Sequence, residues 1–157
     1  MIVLKPVSKE RIWGTPRLHQ YSGDSHIDRI GSVYSVSGIE ALSNEILAGD
    51  EHRTLYEAVK AAPEKFGITA GFDYPIIISF TSADENLSIQ VHPTDEYAIT
   101  HENALYGKSE SWYFIEPPSD GWIYADSLME DKREIKRSIL NGDYESVVGI
   151  IIVSKDD

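Results

Sequence analysis

Residues 87–92 carry a hydroxyl, an amide and an imidazole at alternate positions. Ser88, Gln90 and His92 are separated by apolar residues. Because successive side chains of a β-strand point to opposite faces, a strand here would place these polar groups in a row on one face. Glu110 precedes another apolar run, and its carboxylate would join the row if the two strands were neighbours. Amide, imidazole and carboxylate form an oxygen and nitrogen donor set that suits zinc or another divalent transition metal.

The same alternation has an interpretation that needs no metal. A strand that is polar on one face is commonly a half-buried strand whose polar side faces water. On this interpretation His92 is an ordinary surface residue. His101, on a predicted helix, is expected to be a solvated histidine rather than a ligand. The spacing by itself leaves both interpretations of residues 88–92 open.

The elements that must position these residues are mostly short strands. In addition to 87–92, the patterns predict strands at 30–37, 43–47, 75–80, 111–115, 121–125 and 147–153. The run at 75–80 is continuously apolar, which is typical of a strand buried on both faces. Helices are predicted at 16–21, 54–60, 95–103 and between Ser127 and Gly142, where Ser127 and Glu130 form a capping-box pattern. Many short strands with turn signals between them favour a mainly β fold with helical decoration.

Composition and charge restrict the function classes. The 157 residues suit one domain with an ordinary core, at 41% hydrophobic residues. The net charge of −12 argues against nucleic acid as a partner, because such proteins carry a basic footprint. The absence of cysteine excludes disulfides and thiolate metal ligands. The first apolar run is too short for a signal peptide and no stretch approaches membrane-spanning length, so we expect a cytoplasmic protein without a membrane partner.

A series of short motifs follows a fixed order along essentially the whole chain. They are Lys5-Pro6, Ile12-Trp13-Gly14, Ile30-Gly31, Val36-Ser37, Tyr74-Pro75-Ile76-Ile77-Ile78, Gln90-Val91-His92-Pro93, Tyr97-Ala98 and Gly107-Lys108-Ser109-Glu110-Ser111-Trp112-Tyr113. In type, order and spacing they resemble the blocks of type I mannose-6-phosphate isomerases (phosphomannose isomerases), which are zinc enzymes of the cupin superfamily. The resemblance implies a cupin-like jelly roll in a single domain over residues 1–157, matching the N-terminal half of such an enzyme.

The resemblance also implies roles for individual residues. Gln90, His92 and Glu110 match three zinc ligands, with one Zn²⁺ per chain. Ser88 and Lys108 match positions near the substrate. The family's fourth ligand, a His, and its catalytic Arg have no counterpart in this sequence, so we expect the jelly roll to be incomplete at the C-terminus. Three protein ligands can still hold zinc and leave a position for water or a sugar oxygen.

The activity implied by the resemblance is aldose–ketose isomerisation between mannose 6-phosphate and fructose 6-phosphate. The proton moves between C1 and C2 through an enediol, with the metal polarising sugar oxygens. Lys108 is the candidate base, and its alternative role is to pair with a phosphate or a carboxylate.

Two further hypotheses accompany this activity. One is a non-catalytic protein that binds a metal or a sugar phosphate. The other is a structural β-domain completed by dimerisation, because the unpaired strand edges of an incomplete sandwich invite association. The expected partners are therefore a sugar phosphate and either a second copy or a chain that supplies the missing C-terminal half.

Overall fold

The structure, a computed structural model, describes residues 1–22 and 24–155. Its internal contacts divide the chain into two units, Met1–Tyr106 and Gly107–Asp157. The prediction of one domain over residues 1–157 stays a prediction.

A three-stranded antiparallel sheet lies at the centre of the first unit. The strands of this unit are β1 (Val3–Lys5), β2 (Val7–Thr15), β3 (Ile30–Ser37), β4 (Glu45–Ala48) and β5 (Ile77–Thr81). The central sheet has the order β2-β3-β5, and β1 pairs with β4 in a separate antiparallel ladder. The strands predicted at 30–37 and 43–47 are confirmed as β3 and β4.

The core of this unit forms around β3, because this strand has hydrogen-bonded neighbours on both edges. Ile30 and Val33 are completely buried and cluster with Leu18. Leu18 enters the core from a 3-10 turn, Pro16–Leu18, that leads into α1 (His19–Ser22). The Thr15 side chain caps this turn by accepting a hydrogen bond from the backbone of Arg17. The helical segment predicted at 16–21 is therefore confirmed.

The burial predicted for 75–80 is wrong. β5 forms, but it pairs with β3 on one edge only, and Ile77 and Ile78 are exposed. Phe80 is the β5 residue that packs against the buried cluster, where its ring also stacks on Tyr21. A strand is buried on both faces only when a packed layer covers each face, and an apolar run does not supply those layers.

α2 (Leu55–Ala61) forms as its sequence predicts. Thr54 accepts a hydrogen bond from the backbone of Glu57, and the Glu57 carboxylate accepts one from the backbone of Thr54, which together make a capping box. Leu55, Ala58 and Val59 form its buried stripe. The helix ends before Pro63, which begins a short 3-10 turn.

The second unit contains β6 (Trp122–Ser127), α4 (Lys132–Leu140) and β7 (Val148–Ile152), and β6 pairs antiparallel with β7. Both predicted strands are confirmed, as is the stop at Gly142, whose φ of +74° suits glycine. The predicted capping box at Ser127 is wrong. Ser127 belongs to β6, where it lies opposite Val148, and Asp131 caps α4 by accepting a hydrogen bond from the backbone of Arg133.

Among the described residues, no helix has the length and apolar character needed to cross a membrane.

Candidate metal centre

The first group of candidate residues, Ser88, Gln90 and His92, lies in a segment without regular secondary structure. The Gln90 side-chain amide donates a hydrogen bond to the Ser88 hydroxyl at 3.0 Å, so these alternate residues share one side as predicted. The bond uses Nε2 of Gln90, which leaves Oε1 as the atom suited to a cation. Ser88 and Gln90 are exposed and His92 is partly buried.

The strand predicted at 87–92 is wrong, although its alternation is present. Val91, on the apolar side, is 90% exposed, and Ile89 is exposed as well. Alternation determines which side chains share a face, but a strand also requires a partner with which to exchange backbone hydrogen bonds. The ladders of the first unit do not include residues 87–92.

A helix fixes the chain immediately after His92. α3 (Asp95–His101) begins at Thr94, whose side chain accepts a hydrogen bond from the backbone of Tyr97. Asp95 and Glu96 lie in its first turn, where the positive end of the helix dipole stabilises carboxylates. This confirms the helix predicted from 95, although it ends two residues before 103. His101 is exposed and its ring lies against Tyr97, as expected for a histidine on a helix surface.

The second group lies at the start of the second unit. The Lys108 ammonium is 2.5 Å from Oε2 of Glu110, and the indole N–H of Trp112 donates a hydrogen bond to Oε1 of the same carboxylate. Alternate side chains therefore meet on one side here too. The strand predicted at 111–115 is wrong, because no ladder includes this segment. The contact from Trp112 was not predicted, although its spacing from Glu110 repeats that between Lys108 and Glu110.

The contacts of Glu110 set the conditions for any metal there. Both carboxylate oxygens already have partners, so a cation would compete with Lys108 and Trp112. Lys108 and Glu110 are both partly exposed, and ion pairs in such positions contribute only about 0–1 kcal/mol. In the structure Lys108 pairs with a carboxylate, which is the alternative role that was considered for it from the sequence.

The donor types fit zinc, since an amide oxygen, an imidazole nitrogen and a carboxylate oxygen are all established zinc or transition-metal ligands. Within residues 1–22 and 24–155, no group of three or more His, Cys, Asp or Glu side chains could hold a metal ion. The predicted set has one histidine, one glutamate and one glutamine, and so is not a group of that kind. The three-ligand zinc site stays a prediction.

A polar cluster that the sequence did not reveal lies in the first unit. The Lys60 ammonium is 2.8 Å from Asp73, and it lies 5.4 Å from the centre of the Tyr56 ring. Hydrogen bonding to Asp73 raises the pKa of Lys60. Burial, followed by the charge of Asp73, raises the pKa of Tyr106. The cluster connects α2 to the end of the first unit, and Asp73 and Tyr106 are too far from α2 in sequence for any local pattern to join them to Lys60.

Comparison with solved structures identifies the class of the fold. The chain matches the mannose 6-phosphate isomerase from Bacillus subtilis with a TM-score of 0.88 and 30% sequence identity. The match covers 99% of this chain and 50% of that one. The predicted mainly β, cupin-like fold with helical decoration is thereby confirmed.

Comparison with curated proteins gives the family relationship. The chain is 34% identical over 161 aligned residues to the probable mannose-6-phosphate isomerase GmuF and 32% identical over 160 to the mannose-6-phosphate isomerase ManA, both from B. subtilis. It is also 29% identical to a mannose-6-phosphate isomerase from Streptococcus mutans. Each match covers 99% of this chain, which spans about half the length of these relatives. No protein-family model matches the sequence. The chain is thus a relative of the mannose-6-phosphate isomerases over half of their length.

Proposed function

We propose that this chain is a mannose-6-phosphate isomerase-like protein, which contributes to the interconversion of mannose 6-phosphate and fructose 6-phosphate at a zinc site. The observation that carries the proposal is that 99% of the chain aligns with proteins of that name, both in sequence, at 32% identity, and in fold. Among them is an isomerase with which it shares a TM-score of 0.88. The substrate is accordingly a sugar phosphate, and the proposed location is the cytoplasm.

In this proposal Gln90, His92 and Glu110 hold the zinc ion, which when bound would polarise oxygens of the sugar. The hydrogen bond from Gln90 to Ser88 supports the role of Gln90, because it fixes the amide nitrogen on the side of the hydroxyl and leaves the oxygen for the metal. Ser88 thereby positions a ligand in addition to its proposed place near the substrate.

Lys108 has a defined task in the same proposal. Its ammonium is paired with Glu110 in the structure. A cation at Glu110 would compete with that pair, and the ammonium could then pair with a substrate phosphate or, once deprotonated, accept a proton. Because the chain carries a net charge of −12, a sugar phosphate gains no long-range attraction and depends on such local donors.

The test is the zinc content of the purified, dialysed chain by elemental analysis, with His92→Ala and Glu110→Ala beside it. The expected content is about one zinc per chain, lost in both variants. His101→Ala is the matched control, because this exposed histidine of α3 has no proposed role and should leave the zinc content unchanged. A parent chain without zinc would contradict the three-ligand site.

A second candidate function is binding without catalysis. The observation that favours it is that the chain spans only 50% of the isomerases it matches. A coupled assay with fructose 6-phosphate separates the two functions. Turnover by the zinc-loaded chain that is lost in Lys108→Ala supports the isomerase, whereas a zinc-loaded chain without turnover supports a binding protein.

A further inference from the structure

An irregularity in the β2–β3 ladder accompanies a cleft in the first unit. Glu10 and Thr15 both lie opposite Ile30 of β3, so residues 11–14 interrupt the regular pairing. Bulges of this kind redirect side chains away from the simple alternation of a strand. The cleft has a volume of about 490 Å³, and its lining consists of Glu10, Arg11, Ile12 and Arg29. Two arginines and one glutamate thus share one cleft.

Backbone contacts hold the two arginines next to each other. The Arg11 N–H donates to the Arg29 carbonyl at 3.3 Å, and Nε of Arg29 donates to the Gly14 carbonyl at 3.0 Å. The stem of Arg11 lies over Gly31, where an added Cβ would come within 2.4 Å of the Arg11 Cβ and Cγ atoms. Glycine at position 31 therefore gives the Arg11 side chain its place.

The two guanidiniums keep N–H groups for which no described residue is an acceptor. A guanidinium has five N–H donors. Arg11 donates from Nη1 to the Glu10 carbonyl, and Arg29 donates from Nη2 to the Glu85 carboxylate at 3.4 Å, besides its bond to Gly14. The Arg29 and Glu85 side chains are both exposed, so this ion pair is weak.

A buried donor next to Arg11 also lacks an acceptor. Within residues 1–22 and 24–155, the indole N–H of Trp13 is buried and has no hydrogen-bond partner. Its nitrogen lies 3.2 Å from the Cβ position at Gly31 that the Arg11 stem also approaches. Buried polar groups without a partner are rare in folded proteins. The arginines and the indole are all donors, and the ligand type that matches them is an anion with several acceptor oxygens.

We propose that the cleft at Arg11 and Arg29 binds a phosphate group, either as inorganic phosphate or as part of a phosphate ester. A guanidinium matches the geometry of phosphate oxygens and can bond to two of them at once. The Glu10 carboxylate lines the same cleft and repels an anion, so it limits the affinity. The proposed zinc ligands are not involved, and the proposal does not rest on the proposed function.

The test is a calorimetric titration of the metal-free chain with inorganic phosphate, in a buffer without other oxyanions. We expect saturable binding. Arg11→Gln and Arg29→Gln each remove a charged donor and should raise the Kd about tenfold. Glu10→Gln removes the opposing charge and should lower the Kd severalfold. A second titration with fructose 6-phosphate distinguishes the two sources, because tighter binding of the ester would assign the cleft to phosphate esters.

The matched control is Arg53→Gln, which removes the same charge from an exposed position outside the cleft and should leave the Kd unchanged. Circular dichroism identifies any variant that does not fold. Arg29→Gln is the variant at risk, because Arg29 also bonds to the Gly14 carbonyl. If it does not fold, Arg11→Gln and Glu10→Gln decide.

Three outcomes would overturn the inference. They are a parent chain that does not bind phosphate, a Kd that rises equally in Arg53→Gln, and a Kd that rises in Lys108→Ala but not in Arg11→Gln. The last would assign the phosphate to Lys108 instead of the cleft. Zinc and turnover do not enter these readouts, so a chain that binds phosphate in the cleft but holds no zinc would reject the proposed function and leave this inference standing.

Discussion

β3 and residues 87–92 both have the sequence pattern of a strand, and their fates in the structure differ. β3 pairs with β2 on one edge and β5 on the other, and its Ile30 and Val33 are completely buried. Residues 87–92 form no ladder, and their Ile89 and Val91 are exposed. The difference shows that a local pattern arranges side chains on faces, whereas only neighbouring strands and covering layers make a buried strand.

The largest expected effect comes from the buried side of this comparison. Ile30→Ala should lower the free energy of unfolding by about 2–5 kcal/mol, because it leaves a cavity in the core. Ile89→Ala, at an exposed position, should change it by less than about 0.5 kcal/mol. Urea unfolding followed by circular dichroism measures both. Equal losses would mean that residues 87–92 are packed as a strand in solution.

The next effect concerns the buried amide that fixes β3. Asn44 is fully buried, and its side-chain nitrogen donates to the carbonyls of Lys5 and Tyr34, at 2.9 Å each. Its oxygen accepts from the backbone of Ser37. Asn44→Ala leaves these groups unsatisfied and should cost about 1–3 kcal/mol of unfolding free energy. Asn86 is exposed beside residues 87–92, so Asn86→Ala is the control and should leave the free energy of unfolding nearly unchanged. A similar loss in Asn86→Ala would contradict the difference expected between the buried and the exposed amide.

A smaller effect tests what holds the chain after His92. Thr94 caps α3, so Thr94→Ala should lower the free energy of unfolding by about 1 kcal/mol. Thr100→Ala, on the exposed surface of the same helix, should be neutral or slightly stabilising, because alanine is the better helix former. Thermal unfolding of both variants decides. An unchanged free energy of unfolding in Thr94→Ala would show that α3 does not depend on this cap.

The smallest effect sets the scale for a partly buried contact outside both segments. The hydrogen bond from the backbone of His52, followed by that from its side chain, lowers the pKa of Asp50 below its usual 3.8. A carboxyl whose folded pKa is lowered stabilises the protein above its unfolded pKa, and this stabilisation is lost as the pH falls through the folded pKa. The small excess of the parent chain over Asp50→Asn in melting temperature at pH 7 should therefore begin to shrink below about pH 4 and continue to shrink as the pH falls through the folded pKa. A difference that does not shrink as the pH falls below about 4 would contradict this linkage.

The candidate site was predictable to the extent that its geometry is local. The shared side of Ser88 and Gln90, and that of Lys108 and Glu110, follow from the two-residue spacing and are present as contacts. The same rule would have found Trp112 as a partner of Glu110. The proposed zinc set would combine Glu110 with residues 18 and 20 positions earlier in the chain, and no spacing rule predicts whether such residues meet.

Two errors have the same physical origin in contacts between residues that are distant in sequence. The cap predicted at Ser127 lies instead at Asp131, four residues later in the chain. β7 decides between them, because Ser127 lies opposite Val148 and the Leu128 N–H donates to Val147, which keeps Ser127 in β6. The exposure of Ile77 and Ile78 also depends on distant residues, because only a layer packed over each face of the sheet would bury these two side chains.

By itself, the sequence determined the features whose partners lie within a few residues. Among these are the capping box of α2, the cap of α3, the stop at Gly142 and the positions of most strands. It also determined the family relationship, because the order and spacing of the motifs can be compared without any knowledge of the contacts that their residues make. Tertiary structure decided which strands are paired and buried and where Lys60 and Asp73 meet. These depend on contacts between distant residues, which form only when the chain is folded.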